Sequence, residues 1–563
     1  MVVGCANVRE TKAALKAAPF PLRAGTPRTE GKIPVSYQKI AREIAFWHAA
    51  PLGDIFRVLI PEIFTREKFP ARLARGAGAR RFFIEKPYQK RVEEYKKIIS
   101  QAGEGCVLLV APTAVEARRL AQEWGGTVLT GEQSARQKTR ALREARGARL
   151  VVTTPAYSFL PLEKIKAVII ERESAAGYER LTAPFLDWRI ALRFLAQERR
   201  IKIVEGDYPL RLETRRVAGA ALAYSPDHSL EVVSLARDKQ KRNAPPPEPF
   251  SAVPPSLLKV LAETMAREGR AFVCAMRRGY APAVVCRDCG ATVRDAQGRT
   301  LSLATLNKKR VFRTADGAVI RDARTVCDVC GSWNLLPLGV GVERVMEELT
   351  RALPHTRILR FDADTIKTPA AARRAAAGFP HPRTIIVGTP MAIPWIDPRA
   401  PIDFAAIASA DSLLALPFWR ARERFIRLAF ALAERSERTL VVTRRPDDTT
   451  VKTLLAPRSN EFFKEEDSLR ALVGYPPHGH ILTIRVRGTP STLEKDEKLI
   501  RSVSPSPLIR LPDRLARGTK KTLRLRTLIL KRGPQAWPER DISRALAALS
   551  PRVSVEINPE SLW

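Results

Sequence analysis

The chain has 563 residues, 45% of them hydrophobic, which is enough apolar material for several packed domains and too much for a disordered polymer. Its 96 Lys and Arg residues outnumber 59 Asp and Glu residues, and the net charge of +37 favours a polyanionic partner, nucleic acid ahead of a membrane surface. The sequence has neither an apolar run long enough to span a membrane nor a signal peptide, which predicts a cytoplasmic protein.

The first 34 residues form a short basic segment, punctuated by Pro and Gly, that is too small for a core of its own. Beyond it, Ile40, Ile44 and Trp47 recur at the spacing of one helix face, and a turn follows at Pro51. We therefore predict a small winged-helix-like module followed by a basic linker in residues 35–85.

Two series of short Val- and Ile-rich runs alternate with helical segments in the middle of the chain. The first series occupies residues 86–242, and the second occupies residues 256–284 and 338–458. Continuous apolar runs separated by helices are typical of parallel sheets that are covered on both faces. The layout predicts two tandem RecA-like lobes, the arrangement of helicase motors, joined by a Pro-rich linker.

The last part of the chain, residues 459–563, changes to alternating apolar and polar strands, which predicts a C-terminal α+β domain. The predicted fold class is therefore α/β. It comprises two tandem RecA-like parallel-sheet lobes, an inserted zinc-binding segment in residues 285–337, a small N-terminal winged-helix-like module and the C-terminal domain.

Two Cys-x-x-Cys-Gly motifs stand at the two ends of the inserted segment. Cys286 and Cys289 form the first motif, and Cys327 and Cys330 form the second. A tight turn lets both thiolates of one motif reach the same ion, so two motifs supply the four sulfur ligands of a closed, structural zinc site. A pair of disulfides or a redox Cys-x-x-Cys motif is the alternative interpretation.

An ATP-driven motor of this class needs a phosphate-binding loop, G-x-x-x-x-G-K-[ST], whose backbone N–H groups and lysine bind the triphosphate. This spacing does not occur before the first predicted strand at residues 106–110. A single helical stretch precedes that strand, which leaves no room for a strand, a loop and a helix. The sequence therefore predicts no phosphate loop.

An acidic motif is also altered at the end of the strand predicted for residues 167–170. An Asp-Glu pair there would hold magnesium and orient the attacking water, but the chain reads Glu171, Arg172, Glu173 and Ser174. Arg172 places a cation where a general base is needed. We interpret Glu171 and Glu173 as solvated carboxylates beyond a strand end, and we expect no ATP hydrolysis by the helicase route.

Several short motifs occur together over most of the chain, from about residue 35 to the C-terminus. They are WHAAPLGD at residues 47–54, RRGYAP at 277–282, PLGVGVER at 337–344, FDAD at 361–364, GTPM at 388–391, GYPPHG at 474–479 and EINPESL at 556–562. In these motifs the chain resembles the primosomal protein N′ (PriA) family of bacterial replication-restart proteins.

The resemblance implies recognition of abandoned replication forks and displacement loops, contact with single-strand-binding protein, and assembly of the machinery that reloads the replicative helicase. Family members bind two zinc ions through four Cys pairs, and the outermost pairs share one ion. The outer pairs match the four cysteines named above and the inner pairs are absent, so the resemblance implies one structural Zn²⁺.

The chain departs from the family at each ATP motif. The phosphate loop is absent, the Asp-Glu-Glu-His box has become Glu171 to Ser174, and the Gly-Arg-Ala-Gly-Arg box has become Glu434 to Arg438. The domain that captures a DNA 3′ end in the family is reduced to a residual segment, residues 1–34. This pattern predicts a pseudo-helicase kept for binding and scaffolding, and it leaves open whether ATP binding survives.

The leading hypothesis is a primosomal replication-restart protein that binds forked or single-stranded DNA, single-strand-binding protein, and primosome and helicase-loading proteins. The alternatives are an active ATP-dependent 3′→5′ helicase with a divergent nucleotide site and a zinc-ribbon RNA-binding scaffold. Basic segments at residues 136–149 and 510–526 are candidate phosphate contacts. The residues predicted individually to bind nucleic acid are Arg277, Arg278, Tyr280, Lys308, Lys309 and Arg310.

Overall fold

The computed structural model describes residues 33–65, 73–219, 230–235, 251–275, 283–286, 288–289, 291–295, 301–306, 309–314, 320–323, 326–415, 418–455, 460–504, 506–511, 513–515 and 523–561. The α-helices of these residues are α1 Val35–Trp47, α2 Leu52–Leu59, α3 Glu62–Thr65, α4 Tyr88–Ser100, α5 Ala114–Trp124, α6 Ala135–Ala145, α7 Trp188–Arg199, α8 Leu212–Ala218, α9 Pro255–Ala266, α10 Val342–Ala352, α11 Pro369–Ala376, α12 Ala410–Leu414, α13 Ala421–Ala433, α14 Thr449–Leu455, α15 Glu461–Val473, α16 Pro490–Val503 and α17 Arg540–Ala547. The strands are β1 Arg80–Glu85, β2 Cys106–Val110, β3 Thr127–Leu129, β4 Leu150–Thr153, β5 Ile165–Glu171, β6 Glu179–Arg180, β7 Leu186–Asp187, β8 Lys202–Asp207, β9 Leu230–Ser234, β10 Arg270–Cys274, β11 Ala283–Cys286, β12 Ser302–Leu306, β13 Lys309–Arg313, β14 Ile320–Asp322, β15 Leu335–Leu338, β16 Arg357–Phe361, β17 Thr384–Gly388, β18 Ile402–Ile407, β19 Ser436–Thr443, β20 His480–Gly488, β21 Ile509–Arg510, β22 Arg514–Leu515, β23 Arg524–Arg532 and β24 Val553–Ile557.

The first lobe is a six-stranded parallel sheet with the order β1-β8-β5-β2-β4-β3. Strand β2 is buried along its whole length, because helices cover both faces of the sheet, as its uninterrupted apolar run predicts. Helix α5 begins where the Thr113 side chain accepts a hydrogen bond from the Glu116 N–H, and it ends at Gly125, whose φ of 68° favours glycine. The predicted parallel α/β lobe is confirmed.

Strand β1 is an edge strand that the sequence interpretation placed in a basic linker. It pairs in parallel with β8, from Arg80 opposite Lys202 to Glu85 opposite Asp207. Its arginine-rich sequence is not typical of a strand in a buried sheet. Arg81, however, donates to the buried Glu205 carboxylate on β8, and the two charges neutralise each other. Residues 80–85 therefore belong to the first sheet.

The second lobe is another six-stranded parallel sheet, with the order β16-β17-β10-β18-β19-β9. Its last strand, β9, pairs with β19 from Leu230 opposite Thr439 to Ser234 opposite Thr443. The predicted division placed residues 230–234 in the first lobe. Sequence order alone could not show that this strand crosses to the second sheet before the linker.

Helices α1, α2 and α3 pack against the first lobe. Tyr37 of α1 donates its hydroxyl hydrogen bond to the Leu160 carbonyl, 2.6 Å away, and the apolar faces of α1 and α2 share one core with β2, β5 and α7. Residues 33–65 contain helices and no strand, so the wing of the predicted winged-helix-like module is not present within them. These helices depend on the lobe for their burial.

The C-terminal domain packs helices α16 and α17 against an antiparallel sheet in which β20 lies between β23 and β24. The Trp537 indole N–H donates to the Trp47 carbonyl at the end of α1, 3.0 Å away. Helix α1 therefore contacts both the first lobe and the C-terminal domain. Among the helices of the described ranges, none is long and apolar enough to cross a membrane.

Candidate metal centre and interlobe cleft

The four predicted cysteine ligands come together at one point. The Sγ atoms of Cys286, Cys289, Cys327 and Cys330 all lie within 4.8 Å of one another. The distances between the motifs are 3.6 Å for Cys286–Cys330 and 3.7 Å for Cys289–Cys327. Sulfur atoms bound at ~2.3 Å in a tetrahedron lie about 3.8 Å apart, so this group could hold a metal ion.

Local backbone structure shapes the second cysteine motif. The Gly331 N–H donates to the Cys327 carbonyl, and the Val329 N–H points at the Cys327 Sγ, 3.4 Å away. Gly331 has a φ of 73°, a conformation that side chains disfavour, so the tight turn needs this glycine. This turn therefore directs the sulfur atoms of Cys327 and Cys330 towards the same position.

The inserted segment has its own small core and is tied to the second lobe. Val284, Leu303 and Phe312 form part of this core. The hairpin of β12 and β13 contacts α10 through the Thr305 N–H, which donates to the Glu343 carboxylate at 2.8 Å. Arg313 forms an ion pair with Asp364 at 2.7 Å. The cysteine cluster is thus held at a fixed place on the second lobe.

The position where a motor would bind phosphate is occupied differently. Strand β1 and helix α4 are joined by two residues, Lys86 and Pro87. The sequence interpretation missed the strand. Its connection to α4 is two residues long, which is too short to wrap around a phosphate. The Tyr88 N–H at the start of α4 donates instead to the Glu434 Oε1, which comes from the second lobe, at 2.8 Å.

Glu171 is buried, which corrects its interpretation as a solvated carboxylate. It is 2% exposed, and its two oxygens accept hydrogen bonds from Arg91 Nε and Nη2 at 2.9 and 2.8 Å. The Tyr95 hydroxyl donates to the same carboxylate at 2.9 Å. Burial alone would raise the pKa of Glu171, but Arg91, with help from Tyr95 and Arg172, holds that pKa below its usual range.

Glu173 is also buried and is fully excluded from solvent. Its Oε1 accepts a hydrogen bond from the Arg211 N–H at 2.6 Å, and its Oε2 has no hydrogen-bond partner among the described residues. Burial raises the pKa of Glu173 to about 7, although Arg211 opposes the rise. Of the two predicted carboxylates, neither faces solvent.

Arg172, which lies between these glutamates in the sequence, forms an ion pair with Glu116 of helix α5 at 2.8 Å. Its φ of 49° lies in the left-handed region, which the surrounding contacts impose. The cation therefore neutralises a carboxylate of its own lobe.

Sequence reasoning missed Arg91 and Tyr95 as members of this site. The signal lay in their spacing, because residues four apart lie on one helix face, and Tyr88, Arg91 and Tyr95 are the polar members of the buried face of α4. A buried arginine in such a pattern indicates a buried carboxylate partner.

The second altered motif, Glu434 to Arg438, lies directly across the cleft. Glu434 approaches Arg91 with an N–O distance of 3.7 Å, and Arg435 lies 4.0 Å from Glu116 of the first lobe. Burial lowers the pKa of Arg435 to about 10. Arg438 points elsewhere, to Glu231 on β9. The two altered motifs are thus brought together in one buried network of charges.

The predicted nucleic-acid contacts are only partly described. Arg277, Arg278, Tyr280 and Lys308 lie outside the described residues. Lys309 is exposed at the start of β13, whereas Arg310 forms an ion pair with Glu347 at 2.9 Å.

Within the two basic segments, Arg136 and Arg149 are exposed on the first lobe. Arg526 is 3% exposed and is paired with Glu497 and Asp513 in the C-terminal domain, so it is not a surface residue.

The C-terminal motifs hold domains together. Trp419 of the second lobe donates to the Pro559 carbonyl at 2.7 Å, and Arg424 pairs with Glu560 at 2.8 Å. The Asn558 side chain accepts from the Ile481 N–H at 2.9 Å. The contacts of Trp419 and Arg424 fix the C-terminal domain on the second lobe, whereas the contact of Asn558 lies within the C-terminal domain.

Sequence comparison finds replication restart proteins among the curated relatives. The chain is 24% identical over 419 residues to replication restart protein PriA of Bacillus subtilis, covering 70% of this chain and 51% of that protein. It is 24% identical over 363 residues to PriA of Synechocystis, covering 60% and 43%, and 23% identical over 487 residues to the probable PriA of Mycobacterium leprae, covering 80% and 72%. The chain is similar in sequence to these replication restart proteins. No protein-family model matches it.

The chain spans about half the length of the first of these PriA relatives. Solved structures with some likeness include yeast Dbp5 bound to RNA and ADP BeF3, at 9% identity and a TM-score of 0.37, covering 75% of this chain and 96% of that one. The helicase MrfA bound to DNA and AMPPNP has a TM-score of 0.35 at 10% identity, covering 69% and 48%. Scores this low identify no function.

Proposed function

We propose that this chain is a DNA-binding replication restart protein that recognises forked or single-stranded DNA and helps to reload the replicative helicase, without hydrolysing ATP itself. The observation that carries the proposal is the buried charge network. The Tyr88 N–H donates to Glu434, and Arg91 donates to Glu171 and lies 3.7 Å from Glu434, at the place where a motor would bind a triphosphate.

The retained features support binding. The net charge of +37 suits a polyanion. Arg136 and Arg149 are exposed on the first lobe, and Lys309 is exposed on the inserted segment. Trp333 follows the second cysteine motif and is 81% exposed, so its ring is available to stack on an unpaired base. Single-strand-binding protein and the primosome and helicase-loading proteins are the protein partners in this proposal.

The cysteine cluster in this proposal holds one structural Zn²⁺. Its four thiolates fill the four positions of a tetrahedral zinc ion, which leaves no position for a catalytic water. The ion would keep the hairpin of β12 and β13 in place on α10. Lys309 is the first residue of β13 in this hairpin.

The proposal is tested by fork binding as a function of salt. We expect tighter binding to a forked DNA than to a blunt duplex of equal length, with log K falling by about 0.9 per phosphate neutralised as log salt rises. Fluorescence anisotropy between about 50 and 200 mM salt measures both. A flat salt response, or equal affinity for the two DNAs, would contradict the proposal.

A further inference from the structure

Helix α4 receives an anion at its N-terminus from the other lobe. The first N–H groups of a helix have no partner within the helix, and they carry a partial positive charge that favours an anion. In this chain the Tyr88 N–H donates to Glu434 Oε1 at 2.8 Å. The carboxylate therefore stands where helices of this kind accept phosphate groups.

The contact between Tyr88 and Glu434 is buried and also involves the charge of Arg91. The Glu434 side chain is 4% exposed, and the Arg91 side chain beside it is 0% exposed. Arg91 Nη1 lies 3.7 Å from Glu434 Oε1, while Nε and Nη2 of the same guanidinium hold Glu171. One arginine thus faces a carboxylate from each lobe, and a buried charge that loses its partner is costly.

Further contacts close the same face. Gln89 reaches the Pro398 carbonyl, Arg119 donates to the Pro394 carbonyl, and Arg399 pairs with Glu123 at 3.2 Å. All three join helices α4 or α5 of the first lobe to residues 394–399 of the second. Glu434 lies at the buried end of this seam and Arg399 at its exposed edge.

We propose that Glu434 acts as a built-in substitute for a nucleotide phosphate, and that its contact with Tyr88 and Arg91 holds the two lobes together in the absence of ATP. In a nucleotide-driven motor the ligand joins the lobes, and its release lets them part. Here the joining anion is part of the chain, so the pair of lobes is a fixed platform. This inference concerns the lobes alone and stands whether or not the chain binds DNA.

Amide hydrogen exchange of the full chain tests the inference, because exchange reports local opening. We expect Glu434→Ala to speed exchange about tenfold or more in peptides from both sides of the seam, residues 86–100 and 388–400. Glu434→Gln keeps an oxygen for the Tyr88 N–H and loses the charge, so a smaller increase is expected. If Glu434→Ala does not fold, the Gln variant still gives the answer.

Glu437→Ala is the matched control, since Glu437 is exposed three residues further along the same altered motif and is expected to leave both peptides unchanged. Magnesium ATP is expected to leave exchange of the unmodified protein unchanged as well. Wild-type exchange in both Glu434 variants, or protection of residues 86–100 by magnesium ATP, would overturn the inference. Both measurements are made without DNA, so a failure of this inference can be distinguished from a failure of the proposed DNA-binding function.

Discussion

Arg91 and Glu171 form a buried bidentate ion pair at the carboxyl end of the first sheet, with N–O distances of 2.9 and 2.8 Å. In an ATP-driven lobe a carboxylate at this strand end is kept available for magnesium. Here both of its oxygens are occupied by an arginine of the same lobe. The altered motif is therefore an integrated part of the core.

The ion pair predicts a large effect on stability. We expect Arg91→Ala to lower the free energy of unfolding by about 3–5 kcal/mol, because Glu171 would remain buried without its counter-charge. Arg140→Ala is the matched control, since Arg140 pairs with Glu144 on an exposed face of α6 and is expected to matter little. Thermal unfolding followed by circular dichroism compares the two, and equal melting temperatures would contradict the role assigned to Arg91.

Glu173 predicts a pH-dependent stability. Its folded pKa of about 7 lies above the usual 4.5. Between those values the unfolded chain is ionised while the folded chain keeps its proton, so raising the pH through this window removes stability, and the loss is complete above pH 7.

Glu173→Gln cannot ionise and escapes this loss. We expect its melting temperature to exceed that of the unmodified protein at pH 8 and the difference to shrink towards pH 5. The control is Glu104→Gln at an exposed position. A difference that does not change with pH would argue against a buried, proton-binding Glu173.

The cysteine cluster predicts one zinc ion per chain. Elemental analysis of the purified protein should find it, and Cys330→Ser should lose it and speed hydrogen exchange in residues 301–313, because structural zinc contributes an apparent ~10–16 kcal/mol in small zinc peptides. Cys106→Ala is the control, since Cys106 is a buried thiol outside the cluster and should retain the metal. A folded, metal-free protein with disulfides between these cysteines would contradict the prediction.

Two neighbouring residues of β13 predict different effects on DNA binding. Lys309 is exposed, so Lys309→Ala should weaken fork binding and reduce the slope of log K against log salt by about 1 if it contacts a phosphate. Arg310 is held by Glu347, so Arg310→Ala should change the slope less. Anisotropy titrations measure both slopes, and a larger change for Arg310 would show that the ion pair opens to bind DNA.

Strands such as β2, β5 and β17 could be predicted because each contains a continuous apolar run. The prediction for residues 106–110 matches β2, and the cysteine spacing located a cluster whose members do meet in space. In both cases the pattern is local, since a buried strand or a two-thiol turn is encoded by a few consecutive residues.

The remaining features depend on partners distant in sequence. The sequence around Glu171 does not show that Arg91, 80 residues earlier, neutralises it. A charged residue without a known partner is predicted to be exposed. Strand β1 was missed for the same reason, because the charge of Arg81 is neutralised by Glu205 of β8, a residue 124 positions later. Tyr88 and Glu434 are 346 residues apart in the sequence. Each lies in a region that, taken alone, indicates only the loss of an ATP motif, so the sequence does not show that the two are in contact.

The most direct test of the account is ATP hydrolysis with and without forked DNA, measured in the same preparation as fork binding. We predict salt-sensitive fork binding with no hydrolysis above that of a sample without protein. DNA-stimulated hydrolysis by the pure protein would contradict the account.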